Sequence, residues 1–296
     1  MPTPLPPIQM SSFQEQVCKW LTETRLQFEV THLEYFTTRI AVLRDKAPTL
    51  TLALISLENW LEAGSPDRWQ DEINAMRATR EKSLKCVVIW EDYWIRKESI
   101  VKSRLNAMLG NSQKIAARLT QVRRIDQESS VQFLEKNHLN GSVTSKTRYG
   151  LFLPKRYFRV LNEAFEYDRQ LEELLVAVST FSAPRVFTRD DGPFRSFEML
   201  RFASLLHTNV SGGLDKLLTA FAREKNPDDI MTYADLEWSD GAGYAKLGFE
   251  RISETPPMPV YLSKNEMMRS TKRTADDIAI YNAGSTKFVK TYKSPN

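Results

Sequence analysis

The chain has 296 residues and a mass of 34.2 kDa, with 42% apolar, 10% aromatic and 26% charged residues. That composition excludes a disordered, collagen-like or coiled-coil-array chain and suffices for a sizeable core in about two domains. A formal net charge of +4 and a pI near 8.9 point to no partner by themselves.

No stretch approaches the ~18–20 uninterrupted apolar residues of a membrane helix. The start, Met1-Pro-Thr-Pro-Leu-Pro-Pro7, has neither the basic nor the apolar region of a signal peptide and reads as a mobile leader over residues 1–10. Cys18 and Cys86 are too few for a disulfide framework or, alone, a zinc site. A reducing cytoplasm is the expected compartment.

A capping box, Ser12-Phe-Gln-Glu15, opens a helix whose buried stripe is Phe13, Val17, Leu21 and Phe28. Residues 49–60 read partly as alternating strand and 69–85 as a charged helix. Cys86 to Trp90 is continuously apolar and β-prone, as a strand buried on both faces would be. A basic helix follows, with Val101, Leu105 and Met108 inside and Gly110 as its stop. Residues 11–110 thus suit a small α/β domain.

In residues 111–265 strands are expected over 115–125, 148–153, 174–181, 197–205, 230–236, 249–252 and 260–262. Short helices are expected over 127–138, with Val131 and Leu134 inward, and over 243–248. A longer helix carries Leu214, Leu217, Leu218 and Phe221 at i, i+3, i+4, i+7. The order is that of an α/β sheet, and residues 266–296 form a basic extension.

Charge is segregated. Arg96, Lys97, Lys102, Arg104, Lys114, Arg118, Arg123 and Arg124 face one acid, Glu98, and Arg148 lies in a second acid-free stretch. Such clustering suits a phosphate backbone, DNA included, or simply a solvated face. Val210-Ser211-Gly212-Gly213 stands between a strand and a helix, where glycines and a helix N-terminus can cradle a pyrophosphate. It can equally be a tight turn that binds nothing.

That turn, with Tyr233-Ala-Asp235 and Tyr244-Ala-Lys-Leu-Gly-Phe249, resembles the GCN5-related N-acyltransferase (GNAT) superfamily. The resemblance implies a GNAT-like mixed-sheet domain, acetyl-CoA or another acyl-CoA on Val210–Gly213, and Tyr244 as general acid. The superfamily's turn usually reads Gln/Arg-x-x-Gly-x-Gly/Ala, and here Asn209 and Leu214 depart from it. Asn137-His138-Leu-Asn-Gly141, Arg148-Tyr-Gly150, Phe197-Glu-Met-Leu-Arg201, Trp238-Ser239 and Tyr281-Asn-Ala-Gly284 further resemble the acyltransferase-like relatives of the Mom DNA-modification enzymes. In those chains a domain similar to Vsr and PD-(D/E)XK nucleases precedes, as Val87 to Trp94 and Ile100 to Arg104 do here. The resemblance covers the chain from about residue 85. It implies DNA as partner and a base amine as acceptor.

Asp235 reads as a general base or a turn cap, and His138 as a proton shuttle or a helix cap. Tyr244 is a donor to a thiolate or a core aromatic. Trp238 can stack on a base or pack. Arg148 and Arg201, within strands, need an anion: substrate phosphate, Asp235 or Glu198. In the first domain the acids available to a nuclease are Asp45 and Glu58, without the usual lysine, so that fold reads as degenerate. No metal site is expected. The alternatives to acyl transfer are a non-catalytic DNA-binding protein and a metal-dependent endonuclease.

Overall fold

The first helix begins one residue earlier than its capping signature suggests. In the computed structural model, which describes residues 10–34, 36–189 and 192–292, Ser11 is the N-cap of α1 (Ser12–Glu23). Its hydroxyl accepts the Gln14 N–H, and the Gln14 side chain accepts the Ser11 N–H. The reciprocal pair is therefore Ser11 and Gln14, because the Ser11 carbonyl is the one that takes the first helical bond, from Glu15. Phe13, Val17 and Leu21 are buried as expected. Phe28 lies beyond the helix, in β1 (Gln27–Glu34). Residues 1–9 of the expected leader lie outside the described residues.

The strands β1, β2 (Thr37–Arg44) and β3 (Ala47–Ile55) form an antiparallel meander. Asp45 and Lys46 turn the β2–β3 hairpin with φ of 51° and 65°, the twist that two-residue hairpin loops require. Serine N-caps open α2 (Leu57–Ala63) and α3 (Pro66–Glu81). The apolar run lands in β4 (Lys85–Trp90), parallel to β3, completing a sheet of order β1-β2-β3-β4. β4 ends that order, yet it is buried like a central strand because the main chain of a distant segment covers its open side: the Val88 N–H donates to the Glu237 carbonyl.

Helix α4 (Glu91–Met108) leaves helical geometry at Lys97, where φ is −133°. There the chain passes between two compact units. Unit 1 comprises the residues up to Glu98 with Ala234–Asp240 and Glu254–Thr286; unit 2 comprises Ser99–Tyr233, Gly241–Ser253 and the residues from Lys287. The sequence places a single boundary near Gly110 and treats residues 266–296 as an extension. The interleaving was not legible because Ala234–Asp240 carries no composition shift, and the basic stretch from residue 266 does not announce where in the fold it packs.

Unit 2 begins with β5 (Gln113–Ala116) and β6 (Gln121–Arg124), two short strands where one was expected, separated by a 3-10 turn at Ala117–Leu119. Then come α5 (Gln127–Asn137), β7 (Thr147–Pro154), β8 (Glu173–Phe181), β9 (Arg185–Arg189), β10 (Gly192–Ser204) and β11 (Thr208–Ser211). They are followed by α6 (Gly213–Lys225), β12 (Asp229–Asp235), α7 (Ala242–Ala245) and β13 (Glu250–Glu254). On α5 the inward residues are Phe133 and Leu134, packed on Val178 and Ala203, whereas Val131 is exposed.

Back in unit 1, β14 (Pro259–Leu262), β15 (Arg269–Ser270) and β16 (Ile278–Tyr281) form a small antiparallel sheet. The last strand, β17 (Ser285–Thr291), joins the large sheet, whose order is β13-β17-β12-β10-β8-β7-β6 with β9 beside β10. The architecture is mixed α/β. No helix among the described residues is long and apolar enough to cross a membrane.

The core of unit 1 is aromatic. The Trp60, Trp69 and Trp90 rings meet one another with centroids 5.3–6.4 Å apart. Two of their indole N–H groups donate to backbone carbonyls of the returning segment, Trp60 to Ala279 and Trp69 to Asn282, both at 2.9 Å. Buried tryptophans need such partners.

Candidate functional site

A fork between two parallel strands organises unit 2. β10 pairs with β12 only at Ser196–Glu198 against Asp229–Met231. The register of β10 on β8 then shifts between Met199 and Arg201. Such an irregularity bends a strand, and beyond it β10 follows β8 to Ser204 while β12 continues beside β17. Just past the last paired residues the buried Thr232 hydroxyl donates to the Met199 carbonyl at 3.1 Å.

Tyr244 stands at this fork. Its ring lies 5.6 Å from Phe249 and 5.5 Å from Phe288. Burial raises the pKa of its hydroxyl, against a hydrogen bond with Thr232 and the nearby Arg104 charge, which lower it. The phenol is therefore a held proton donor at neutral pH.

The glycine turn is built as the sequence suggests. β11 pairs in parallel with β5, Thr208–Ser211 on Gln113–Ala116, and leads into Gly212, the N-cap of α6, with φ of 76° and no side-chain cap. At Gly213 a Cβ would approach Val210 Cγ1 to 3.0 Å and Leu151 Cδ1 to 3.3 Å, so the tight entry into the helix rests on glycine. By contrast, Ser11, Ser56, Ser65 and Asp126 cap their own helices. Val210 is buried, whereas Ser211 and Gly212 are exposed, as is Asn209; Leu214 is half-buried.

Packing fixes α6 in place. Leu217, Leu218 and Phe221 are buried, and Phe221 stacks on Phe181 with centroids 3.9 Å apart. The Lys216 ammonium bonds the Ala117 carbonyl at 2.9 Å and the Thr120 carbonyl. Lys114 pairs with Asn209, and Ala116 with Ser211, so exposed Lys114 and, two residues past Ala116, exposed Arg118 flank the turn.

The other expected site residues are placed differently. His138 is the C-cap of α5, and its Nδ1 accepts the Asn140 N–H at 3.1 Å. Asp235 belongs to unit 1, unlike Tyr244 and His138. Its carboxylate accepts the Glu237 N–H at 2.9 Å, and its carbonyl accepts from Trp238 and Ser239. Trp238 is 2% exposed, so of its two readings, base stacking and packing, the structure has packing. Arg201 donates to the Gly141 and Leu200 carbonyls.

Of the expected phosphate contacts, Arg96 and Lys97 stand in unit 1 and Lys102, Arg104, Lys114, Arg118, Arg123, Arg124 and Arg148 in unit 2. Several of them bond other parts of the protein. Arg96 donates to the Glu266 carbonyl and Arg148 to that of Ser145, while Arg123 pairs with Glu173 and Arg124 with Glu224.

The two acids proposed for a nuclease do not meet. Asp45 precedes β3 and Glu58 follows it, which sets them about 30 Å apart along a strand of nine residues. Among the described residues no group of three or more His, Cys, Asp or Glu could hold a metal ion.

Sequence reading missed a buried ionic cluster in unit 1. Arg269 clasps Asp92 through two bonds, Nε to Oδ2 at 2.7 Å and Nη2 to Oδ1 at 3.0 Å, and its guanidinium lies 3.6 Å from the Tyr93 ring centroid. Glu237 Oε2 stands 4.0 Å from the same guanidinium, while Oε1 accepts the Trp90 indole N–H at 3.1 Å. One cation thus faces two buried carboxyls. Burial, and then the Asp235 charge, push Glu237 up to about 8, so it holds a proton while Asp92 takes the arginine.

The folded chain keeps this proton after the unfolded chain has released it. Stability of unit 1 should therefore fall as pH rises from the ordinary glutamate range through about 8. Glu237→Gln, a mimic of the protonated acid, should flatten that slope. Urea unfolding midpoints of both proteins at about pH 5.5 and about pH 8.5 check it; parallel profiles would refute it.

No protein-family model matches the chain, and no curated protein matches it. Solved structures similar to part of it include the NatC complex bound to Gag peptide and CoA, at 9% identity over 59% of this chain and 99% of that one, with a TM-score of 0.33. Another is the histone acetyltransferase HPA2 and related acetyltransferase from Corynebacterium glutamicum ATCC 13032, at 13% identity, 60% and 98% coverage and a TM-score of 0.32. A third is a GNAT family acetyltransferase from Elizabethkingia anophelis with acetyl-CoA bound, at 11% identity, 58% and 98% coverage and a TM-score of 0.29. Overlap this low decides neither fold nor activity, whereas the strand fork and the glycine turn are features of this chain itself.

Proposed function

We propose that unit 2 binds an acyl-coenzyme A and transfers its acyl group to an amine. The observation that carries the reading is the uncapped, glycine-led N-terminus of α6 in a unit whose β10 and β12 diverge beside a buried tyrosine. Gly212 and Gly213 leave the first-turn N–H groups of α6 without a side-chain cap, and the helix dipole adds a positive end. Lys114 and Arg118 suit the remaining phosphates, a better use of these cations than a duplex contact. Beyond Glu198 and Met231 the two strand edges no longer pair with each other, so their backbone groups can bond a pantetheine-like amide chain. A bound thioester supplies the activated acyl group. As the amine nitrogen bonds the acyl carbon the C–S bond breaks; the Tyr244 hydroxyl, kept protonated, is the donor at hand for the departing thiolate, and the proton that the amine gives up passes through water to restore the phenol.

The test is calorimetric titration of acetyl-CoA into the protein and into Gly212→Asp. Aspartate tolerates a left-handed backbone and caps a helix, so the variant should keep its stability while a negative charge occupies the phosphate position. Saturable binding in the parent, lost in the variant, is expected. Absence of binding in the parent at about millimolar ligand would show that Asn209 and Leu214 have closed the site.

A further inference from the structure

Strand β9 plays no part in the acyl-transfer reading. All five of its residues are exposed, and it pairs only with β10, Arg185–Arg189 against Ser196–Gly192. Among the described residues no other strand pairs with its outer edge. That edge therefore presents unpaired N–H and C=O groups.

Side chains alternate along a strand, so Arg185, Phe187 and Arg189 share one face. Phe187 is 49% exposed and its neighbour Val186 61%. Arg189 is already oriented there, its guanidinium 3.3 Å from the centroid of Phe194, the residue opposite Phe187. The stripe is cation, aromatic, cation, with the two arginines about 13 Å apart.

We propose that the outer edge of β9 receives an extended acidic peptide as an added strand. Its backbone completes the ladder, an apolar side chain lies on Phe187, and carboxylates two positions to either side meet Arg185 and Arg189. A strand has the same two-residue period, so an acid-x-apolar-x-acid segment fits without distortion.

The charges also say which occupants are disfavoured. A second copy of this chain, paired antiparallel about Phe187, would set Arg185 against Arg189, and in-register parallel pairing would set like on like. The proposal does not depend on the acyl-transfer reading, since it is measured by binding alone.

The experiment is fluorescence anisotropy of the full chain with labelled peptides of the form Thr-Glu-Thr-Φ-Thr-Glu-Thr, where Φ is Val, Ile, Phe or Tyr. Saturable binding is expected for at least one peptide. Arg185→Ala/Arg189→Ala should weaken it by about tenfold or more, and N-methylation of the peptide's central residues, which blocks strand pairing, should abolish it. Both arginines are exposed, so an unchanged melting temperature of the double variant separates a binding loss from unfolding. Equal binding of the lysine-for-glutamate peptides would overturn the idea. So would arginine-dependent capture of a labelled oligothymidylate in place of the peptides. No binding of any of the four peptides would overturn it as well, and would leave the arginines as guards against edge pairing.

Discussion

Replacing Arg269 with alanine is expected to lower the stability of unit 1 by about 3–5 kcal/mol, the range for breaking a buried ion pair from one side. Asp92 and Glu237 are 2% and 1% exposed, and with the guanidinium gone no cation remains between them. Asp92 would lose its two charge-assisted bonds, and the Tyr93 ring would lose the plane it lies against. For a unit of this size the melting transition should move down by roughly 10 °C or more. Asp92→Asn/Arg269→Met, which removes both charges together, should recover much of the loss, since the cost lies in leaving one charge alone. Thermal melts of the parent and the two variants decide it; a small effect of Arg269→Ala alone would mean that water reaches the cluster.

Phe221→Ala should produce the other large effect, in unit 2. Phe221 is fully buried, stacks on Phe181 at 3.9 Å and 15°, and touches Phe197 edge-on at 5.1 Å. Removing the ring leaves a cavity that the surrounding strands cannot fill, at a cost of about 3–5 kcal/mol. Because this ring anchors α6, whose first turn is Gly213 onward, acetyl-CoA affinity should fall with it. Phe221→Leu refills most of the volume and should restore both, while an affinity unchanged in Phe221→Ala would detach the turn from the proposed site. Chemical denaturation and calorimetry on the same preparations give the two readouts.

Elements with strong local patterns were legible in the sequence. The run Cys86–Trp90 was read as a strand and α6 from its i, i+3, i+4, i+7 stripe, because burial of one face imposes those periods. The turn at Gly212 was also legible, since few residues other than glycine enter φ of 76° cheaply. The hairpin of β1 and β2 was missed, because Gln27–Glu34 mixes charged and β-prone residues without clean alternation. β9 was missed because all of its residues face solvent and burial leaves no period on it. The capping box was placed one residue late because two serines stand side by side, each with an amide or acid three residues on. The Asp92–Arg269 clasp spans 177 residues, and no local pattern reports a partner at that distance. The fork is a matter of pairing register, which the identities of Met199 and Thr232 do not announce.

The interleaved course of the chain has a consequence for biosynthesis. When Glu98 leaves the ribosome the meander and its helices are complete, yet Arg269, the covering segment at Glu237 and the carbonyls for Trp60 and Trp69 do not yet exist. At about 5–20 residues per second, the wait until Thr286 emerges is roughly ten to forty seconds. Until Glu237 emerges β4 has an open apolar edge, and until Arg269 emerges Asp92 stands without its cation. A nascent chain in that state is a natural client for a holdase. A gene fragment stopping near Gly110 would make the wait permanent and should yield an aggregating product rather than an isolated domain.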